Sequence, residues 1–232
     1  LLTKDNWKEI YDQANKVIKE KKLTARKLIE LSNVTFVGTT DNPTDSLEHH
    51  DTILADESFD VTVAPSFRPD EAFHIDDERF VGFLDRMEAI FGSRLSSYQE
   101  LITQLEARVD FFDKRGTLAS DHALEQMVYR EATDEEIEAI FQKALNQEAI
   151  NAEEKEQYLT RILIDLGKMY AERGWAMQIH FGALRNNNEY WYKQLGPDVG
   201  FDSIHDSVND GRNLNRLLNA MERKQQLPKM II

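Results

Sequence analysis

The sequence predicts an α/β protein whose sheet is mainly parallel. Two observations support this prediction: short apolar, β-branched runs alternate with longer segments of helical periodicity, and each run ends in a cluster of polar residues before the next helix. This pattern is typical of repeated β/α units. In such folds ligands bind beyond the carboxyl ends of the strands, so the polar clusters are the first places to look for a functional site.

The predicted elements follow in chain order from periodicity and from signals at helix ends. The predicted helices cover residues 5–20, 25–31, 43–56, 76–91, 97–115, 123–131, 134–145, 152–173 and 209–224. The predicted strands cover residues 34–38, 61–64, 117–120, 175–181 and 229–232. Thr24 is a suitable N-cap, and Pro43 suits the first turn of a helix. Thr133 and Glu136 have the spacing of a capping box.

Charge and composition restrict the functions that are open to the chain. Its 232 residues contain 28 Lys and Arg against 42 Asp and Glu, a net charge of −14, and no cysteine. An acidic surface repels nucleic acid and anionic membranes, and the lack of cysteine excludes disulfides, thiolate metal sites and cysteine nucleophiles. No apolar run is long enough for a transmembrane helix, and no secretory signal pattern is present. We therefore expect a cytoplasmic protein without a nucleic-acid or membrane partner.

His180 and Arg68 are the candidate residues with the clearest chemistry. His180 lies in an apolar predicted strand, where an imidazole can bind a divalent metal or transfer a proton near neutral pH. The alternative is a core histidine whose ring nitrogens are hydrogen-bonded. Arg68 follows the second predicted strand, where its guanidinium can bind a carboxylate or phosphate in a bidentate manner. The alternative is a structural ion pair with Asp70.

Asp121 and His122 follow the third predicted strand. They can act as an acid/base pair, or they can belong to a turn whose polar groups satisfy one another. His49 and His50 are adjacent on a predicted helix, so their rings point about 100° apart and form a poor joint metal site. The short signatures of nucleotide hydrolysis, dinucleotide binding and serine or zinc proteolysis do not occur in the sequence.

Several long segments of the sequence together resemble the uronate isomerase family. They stand in the family's order and are spread over nearly the whole chain, which makes them far more specific than a single short pattern. The segments are VGTTDNP (37–43), SLEHH (46–50), PSFRPD (65–70), SDHAL (120–124), HFGALRNNN (180–188) and LGPDVGFDSI (195–204).

The resemblance implies a fold and a reaction. The fold is a partial (β/α)8 barrel of the amidohydrolase superfamily, about strands two to six, in which residues 1–232 form one domain with helix-rich insertions at about 76–115 and 124–173. The reaction is the aldose–ketose isomerisation of D-glucuronate to D-fructuronate and of D-galacturonate to D-tagaturonate. A divalent metal, usually zinc, is implied as cofactor, and a hexuronate as the small-molecule partner. A homo-oligomer is left open by the sequence.

The resemblance also implies roles for individual residues. His180 matches a strand-five histidine that binds the metal or lies next to it, and Arg68 matches an arginine that binds the substrate carboxylate. We expect Asp121 and His122 with His180 among the catalytic residues, and Arg185 among the substrate-binding residues, without a specific role for each.

Two features of the family are missing from the sequence. Neither the His-x-His motif of the first barrel strand nor the Asp-Ser-Arg motif of the eighth occurs. The chain also begins with Leu1 rather than Met and stops in the apolar run 230–232. We therefore expect the middle segment of a longer enzyme, inactive alone and weak in metal binding. The alternative is a non-catalytic module that self-associates through exposed strand edges.

Overall fold

The structure is a computed structural model that describes residues 1–207 and 209–232. The chain divides into two compact units, one of residues 1–38 and 48–64 and the other of residues 39–47 and 65–232. None of the helices in the described residues is long and apolar enough to span a membrane.

The described residues alternate between helices and strands, as the sequence predicts. The helices are α1 (Trp7–Glu20), α2 (Ala25–Leu31), α3 (Glu48–Leu54), α4 (Glu78–Phe91), α5 (Tyr98–Asp113), α6 (Asp134–Leu145), α7 (Ala152–Arg173), α8 (Glu189–Leu195) and α9 (Asp210–Glu222). The strands are β1 (Phe36–Asp41), β2 (Thr62–Phe67), β3 (Ala119–Leu124), β4 (Ala176–Phe181), β5 (Ala183–Leu184), β6 (Ser203–Ile204) and β7 (Lys229–Ile231). A 3₁₀ turn, Asp70–Phe73, follows β2.

Five of these strands form one sheet in the order β1-β2-β3-β4-β7. Strand β3 is parallel to both β2 and β4, and β4 is parallel to β7. The order of strands in this sheet is their order along the chain, and at least one helix lies between each strand and the next of the sheet; β5 and β6 also lie between β4 and β7. The prediction of an α/β fold with a mostly parallel sheet is confirmed. Strands β5 and β6 form a separate antiparallel pair, and neither this pair nor α8 is predicted by the sequence patterns.

One face of the sheet packs against α5 and α7. Phe67 of β2 is fully buried, with its ring centroid 5.0 Å from that of Phe112 in α5 and 6.2 Å from that of Tyr170 in α7. Met177 and Ile179 of β4 are also fully buried in this core. Because side chains alternate along a strand, the residues between them lie on the opposite face, and this second face carries the candidate site.

The helix-end signals at Thr24 and Thr133 are correct. The Thr24 hydroxyl accepts a hydrogen bond from the Lys27 amide at 3.2 Å. Thr133 and Glu136 form the predicted capping box: the Thr133 hydroxyl accepts from the Glu136 amide at 3.2 Å, and the Glu136 carboxylate accepts from the Thr133 amide at 2.8 Å. These short-range hydrogen bonds depend on local sequence, which is why the sequence predicts them.

The helix predicted to start near Pro43 is wrong at its beginning, because α3 begins at Glu48. The preceding loop is held by the buried Arg108 guanidinium, which donates to the carbonyls of Pro43 at 2.5 Å and Asp45 at 2.7 Å. The Asn42 side chain also accepts from the Thr44 amide at 3.0 Å. These groups give the loop hydrogen bonds that compete with helix formation.

The predicted helix 123–131 is also wrong, and the predicted strand 117–120 ends too early. Strand β3 continues to Leu124, and no helix follows before α6. The amide of Met127 donates to Asp210 at 2.7 Å, and the amide of Arg130 donates to Thr160 at 3.0 Å. Hydrogen bonds to residues distant in the sequence therefore replace helical hydrogen bonds in this segment. The periodicity of a sequence does not predict such long-range bonds.

Helices α7 and α9 approach each other closely at Gly167. A Cβ atom added at Gly167 would lie 2.6 Å from Sδ of the fully buried Met221. We expect Gly167→Ala to lower the free energy of unfolding by about 1–2 kcal/mol, because overpacking outweighs the gain in helix propensity. Urea denaturation measures this change.

Gly82→Ala is the matched control for this prediction. At Gly82 in α4 the nearest atom to an added Cβ is Arg86 Nη1, at 3.6 Å. This substitution should raise the free energy of unfolding by about 0.5–1 kcal/mol through helix propensity alone. Equal effects of the two substitutions would contradict a close contact at Gly167.

Candidate active site

A row of polar residues crosses the second face of the sheet. Asp121 of β3 pairs with Gln178 of β4, and Arg68 directly follows Phe67, whose partner in β3 is Ser120. Arg68, directly after β2, therefore lies beside Asp121 on β3, and Asp121 lies beside Gln178 on β4. His180 lies two residues beyond Gln178, on the same face of β4.

Asp121 is the centre of a hydrogen-bond network on this face. Its Oδ1 atom lies 2.8 Å from His180 Nε2 and accepts from Gln178 Nε2 at 3.3 Å, and its Oδ2 accepts from Arg68 Nη1 at 3.2 Å. The Asp121 side chain is 13% exposed, whereas the His180 side chain is 44% exposed. The carboxylate is thus held from three sides, and the imidazole beside it is open to a small molecule. We name Arg68, Asp121 and His180 the acid–base cluster.

Asp70 adds a second carboxylate to the Arg68 guanidinium. Arg68 Nε donates to Asp70 Oδ2 at 2.7 Å, which is the ion pair that the sequence leaves open as an alternative. Burial raises the pKa of the Asp70 carboxyl, although the hydrogen bond and charge of Arg68 oppose this rise. Burial also opposes the charge on Arg68, but hydrogen bonding and charge from Asp70, together with the charge of Asp121, raise the pKa of Arg68 above its ordinary value. Arg68 is therefore a cation at any pH of interest.

The cluster has the groups needed to move a proton. The tautomer of His180 decides whether Nε2 donates to or accepts from Asp121, and an imidazole next to a carboxylate can exchange a proton with a bound molecule near neutral pH. Arg68 supplies a fixed positive charge and planar N–H donors beside this pair. The arrangement suits proton transfer on an anionic small molecule.

His122 is not brought to this cluster. It is fully buried on the helix side of β3, with its ring centroid 5.5 Å from that of Phe73 and 5.6 Å from that of Tyr170, on which it stacks. Neither ring nitrogen hydrogen-bonds to any residue in the described part of the chain. Burial, reinforced by the charges of His180 and Arg68, lowers the pKa of His122 to about 3, so its ring is neutral. We therefore leave His122 out of the proposed proton-transfer groups.

Arg185 contacts Asp202, which is outside the acid–base cluster. Its Nη1 atom forms an ion pair with Asp202 Oδ2 at 2.5 Å, and the Asn186 amide donates to the other oxygen of Asp202 at 3.0 Å. The hydrogen bond from the Asn186 amide and the ion pair with Arg185 lower the pKa of Asp202. These contacts join the ends of β5 and β6, and the predicted substrate contact of Arg185 stays a prediction.

The metal-binding potential of the described residues is limited. Within residues 1–207 and 209–232, no three His, Asp or Glu side chains come together as a metal site. His180 and Asp121 provide two donors, whereas zinc sites in enzymes use three protein ligands and a water or substrate. The donor set present here does not fit a complete zinc site.

Gln178 is the one member of the network that sequence reasoning misses. Its amide shares Asp121 Oδ1 with His180. The available signal was its spacing of two residues from His180 inside a predicted strand, which places both side chains on one face.

The fold and site define an α/β protein with an acid–base pair and an arginine on the polar face of a parallel sheet. The chain belongs to the glucuronate isomerase family, because the family model with that description matches residues 1–232. A uronate isomerase from Lachnospira eligens is 41% identical over 232 residues, which are 100% of this chain and 49% of that protein. A uronate isomerase from Clostridium perfringens is 43% identical over 223 residues, 96% of this chain and 48% of that protein. The chain therefore spans about half the length of these curated relatives.

Two crystal structures show the same fold in proteins of this family. A uronate isomerase from Thermotoga maritima matches with a TM-score of 0.87 and 31% identity, over 99% of this chain and 50% of that chain. A glucuronate isomerase from Caulobacter crescentus matches with a TM-score of 0.82 and 26% identity, over 94% of this chain and 45% of that chain. The family predicted from the sequence segments is confirmed.

Proposed function

We propose that the protein that carries residues 1–232 is a uronate isomerase, which interconverts D-glucuronate and D-fructuronate, and D-galacturonate and D-tagaturonate. The observation that carries this proposal is the acid–base cluster on the polar face of the sheet, in a chain of the glucuronate isomerase family. Aldose–ketose isomerisation needs a group that removes a proton from carbon 2 and a group that returns one to carbon 1. A uronate substrate also carries a carboxylate, which a cation in the site can bind.

The cluster residues can be assigned to these needs. The His180 imidazole, oriented by the Asp121 carboxylate 2.8 Å away, takes the carbon 2 proton while the carbon 1 carbonyl oxygen gains a proton from solvent, which gives an enediol. The His180 imidazolium then gives its proton to carbon 1 and the carbon 2 hydroxyl returns a proton to solvent, which completes the ketose and restores the imidazole. Arg68, whose side chain is 33% exposed at the end of β2, binds the substrate carboxylate.

An assay with three sugars tests this function. The protein that carries residues 1–232 should convert D-glucuronate and D-galacturonate to ketoses. It should not convert D-glucose, which lacks the carboxylate. Ketose formation is followed by NMR with and without added zinc. Conversion of D-glucose at a rate similar to that of the uronates would contradict a role for carboxylate recognition.

The sheet order supports a further proposal about the architecture. In a (β/α)8 barrel each strand is followed by a helix and pairs with the next strand of the chain. The strands β1 to β4 follow this rule, and β4 then pairs with β7 after the separate β5–β6 pair and helices α8 and α9. We propose that they are a part of such a barrel, of the amidohydrolase type, and that the polar face is its interior.

The divalent metal implied by the family remains a prediction. His180 is the described residue that can serve as one ligand, but the chain's described donors form no three-ligand set, and no step above depends on a metal. We expect isothermal titration calorimetry of the 232-residue chain to show no tight one-to-one zinc binding, since two protein donors are too few.

The adjacent histidines His49 and His50 provide a control for this titration. A variant with both His49→Ala and His50→Ala removes the adjacent pair on α3 and should leave any weak binding at His180 in place. Tight one-to-one binding that His180→Ala abolishes would contradict the expectation, because the site would then be complete within this chain.

Self-association through strand edges is the alternative for the 232-residue chain. In the sheet of the described residues β1 and β7 are the terminal strands, and Phe36 and Ile231 on them are 45% and 48% exposed. Unpaired edge strands can pair with another copy. We expect a dimer at micromolar concentration by light scattering, and a monomer would exclude edge pairing.

A further inference from the structure

We infer that Asp70 is a positioning residue that fixes the Arg68 guanidinium next to Asp121, ready for the substrate carboxylate. This inference rests on the proposed uronate isomerase function. Among the described residues, Asp70 hydrogen-bonds to Arg68 and to the Ala123 amide but not to Asp121 or His180, so we infer that it acts on the reaction through Arg68.

The contacts of Asp70 join two strands of the site. Its Oδ2 accepts from Arg68 Nε at 2.7 Å, and its two oxygens lie 3.3 and 3.4 Å from the amide nitrogen of Ala123, which donates to them from β3. Arg68 Nη1 reaches Asp121 of the same strand at 3.2 Å. Two different nitrogens of the guanidinium are thus held. One partner, Asp121, belongs to β3, and the other, Asp70, is hydrogen-bonded to β3 through the Ala123 amide.

Asp70 is held in place by the turn that it begins. The Ala72 amide donates to the Pro69 carbonyl at 2.9 Å, and the Ala72 carbonyl accepts from the hydroxyl of the fully buried Tyr158 in α7 at 2.9 Å. Ala72 and Phe73 are buried in the core. The Asp70 side chain is 19% exposed. Because this turn is fixed to the core, the Asp70 carboxylate has a fixed position, and its hydrogen bond to Arg68 fixes the guanidinium in turn.

A charge effect and a positioning effect of Asp70 predict different results. Asp70 and Asp121 both face Arg68, so removal of the Asp70 charge alone would strengthen the attraction of Arg68 for an anionic substrate. Loss of the hydrogen-bond acceptor would free Arg68 to leave its position and weaken binding. Asp70→Asn removes the charge and keeps an acceptor oxygen, whereas Asp70→Ala removes both, so the comparison of the two variants isolates position from charge.

The test compares these variants in the protein that carries residues 1–232. The KM for D-glucuronate should be about tenfold or more higher for Asp70→Ala than for Asp70→Asn, since a hydrogen bond to a charged group is worth about that much. The kcat values should agree within about threefold, because the proton-transfer pair is intact in both. Equal KM values for the two variants would overturn the inference.

A spectroscopic measurement keeps the inference testable without activity. In the 232-residue chain the Nε–H signal of Arg68 should be protected from exchange in the wild type and in Asp70→Asn, and should exchange rapidly in Asp70→Ala. If Asp70→Ala does not fold, Asp70→Ser, whose hydroxyl is one bond shorter, takes its place. A wild-type protein without isomerase activity would refute the proposed function, while unchanged protection in the Ala or Ser variant would refute the role of Asp70.

Discussion

Replacement of Asp121 with Asn should lower kcat/KM for D-glucuronate by about 10²- to 10⁴-fold, the usual contribution of a general acid–base group. The carboxylate accepts hydrogen bonds from Arg68 and Gln178 and lies 2.8 Å from His180 Nε2. An amide of the same shape retains one acceptor oxygen, but it cannot stabilise a protonated imidazole. The His180 ring would lose the partner that lets it take the substrate proton. Initial rates over a range of substrate concentrations measure the loss.

Asp113→Asn is the matched control for this substitution. Asp113 lies in α5, where its Oδ1 accepts from the indole N–H of Trp175 at 2.9 Å. An asparagine there keeps the acceptor, so activity should stay within about threefold of the wild type. A rate for Asp121→Asn near that of the wild type, or equal losses in both variants, would show that Asp121 takes no specific part in the reaction.

The second large effect is a loss of stability in acid that comes from His122. Burial lowers the pKa of this histidine to about 3 in the folded chain, from an ordinary value of 6.5. Between pH 3 and pH 6.5 the His122 ring binds a proton in the unfolded chain but not in the folded chain. The free energy of unfolding is therefore highest above pH 6.5 and declines as the pH falls toward 3. From pH 7 to pH 5 the free energy of unfolding should fall by about 2 kcal/mol on account of this residue.

His122→Leu should remove this part of the pH dependence. Leucine is similar in volume and apolar, and it suits the space between Phe73 and Tyr170. Urea denaturation measures the free energy of unfolding at pH 7 and at pH 5, and its fall between them should be about 2 kcal/mol smaller in the variant than in the wild type. Met177→Leu, a change in the same core without a titratable group, should leave this fall in free energy unchanged. The same fall in His122→Leu as in the wild type would mean that His122 binds a proton in the folded chain as readily as in the unfolded chain.

Local signals explain why much of the fold can be predicted from this sequence. The capping box at Thr133 and the strand around Ile179 depend on neighbours within a few residues, and both are found as predicted. Strand β3 is different, because the polar residues Asp121 and His122 interrupt its apolar pattern. Their environments are set by β4, Arg68 and the aromatic core, which are distant in the sequence. The segment after β3 likewise depends on distant groups such as Asp210.

Asp121 and His122 lie on opposite faces of β3, which their sequence does not show. Asp121 and His122 are adjacent in the sequence, and their adjacency alone suggests an acid/base pair. Within a strand, however, adjacent side chains point to opposite faces, so Asp121 meets Arg68 and His180 while His122 enters the core. Only the extension of β3 past Ser120 reveals this separation, and the sequence pattern does not predict that extension.

The most direct test of the account follows carbon 1 of the substrate by NMR. The protein that carries residues 1–232 is incubated with D-glucuronate labelled with ¹³C at carbon 1, in parallel as wild type and as Asp121→Asn. We expect the wild type to replace the aldose signal with that of a ketose hydroxymethyl carbon, and Asp121→Asn to do so at least about a hundredfold more slowly. An unchanged aldose signal with the wild type, or equal conversion by both proteins, would contradict a uronate isomerase that works through the acid–base cluster.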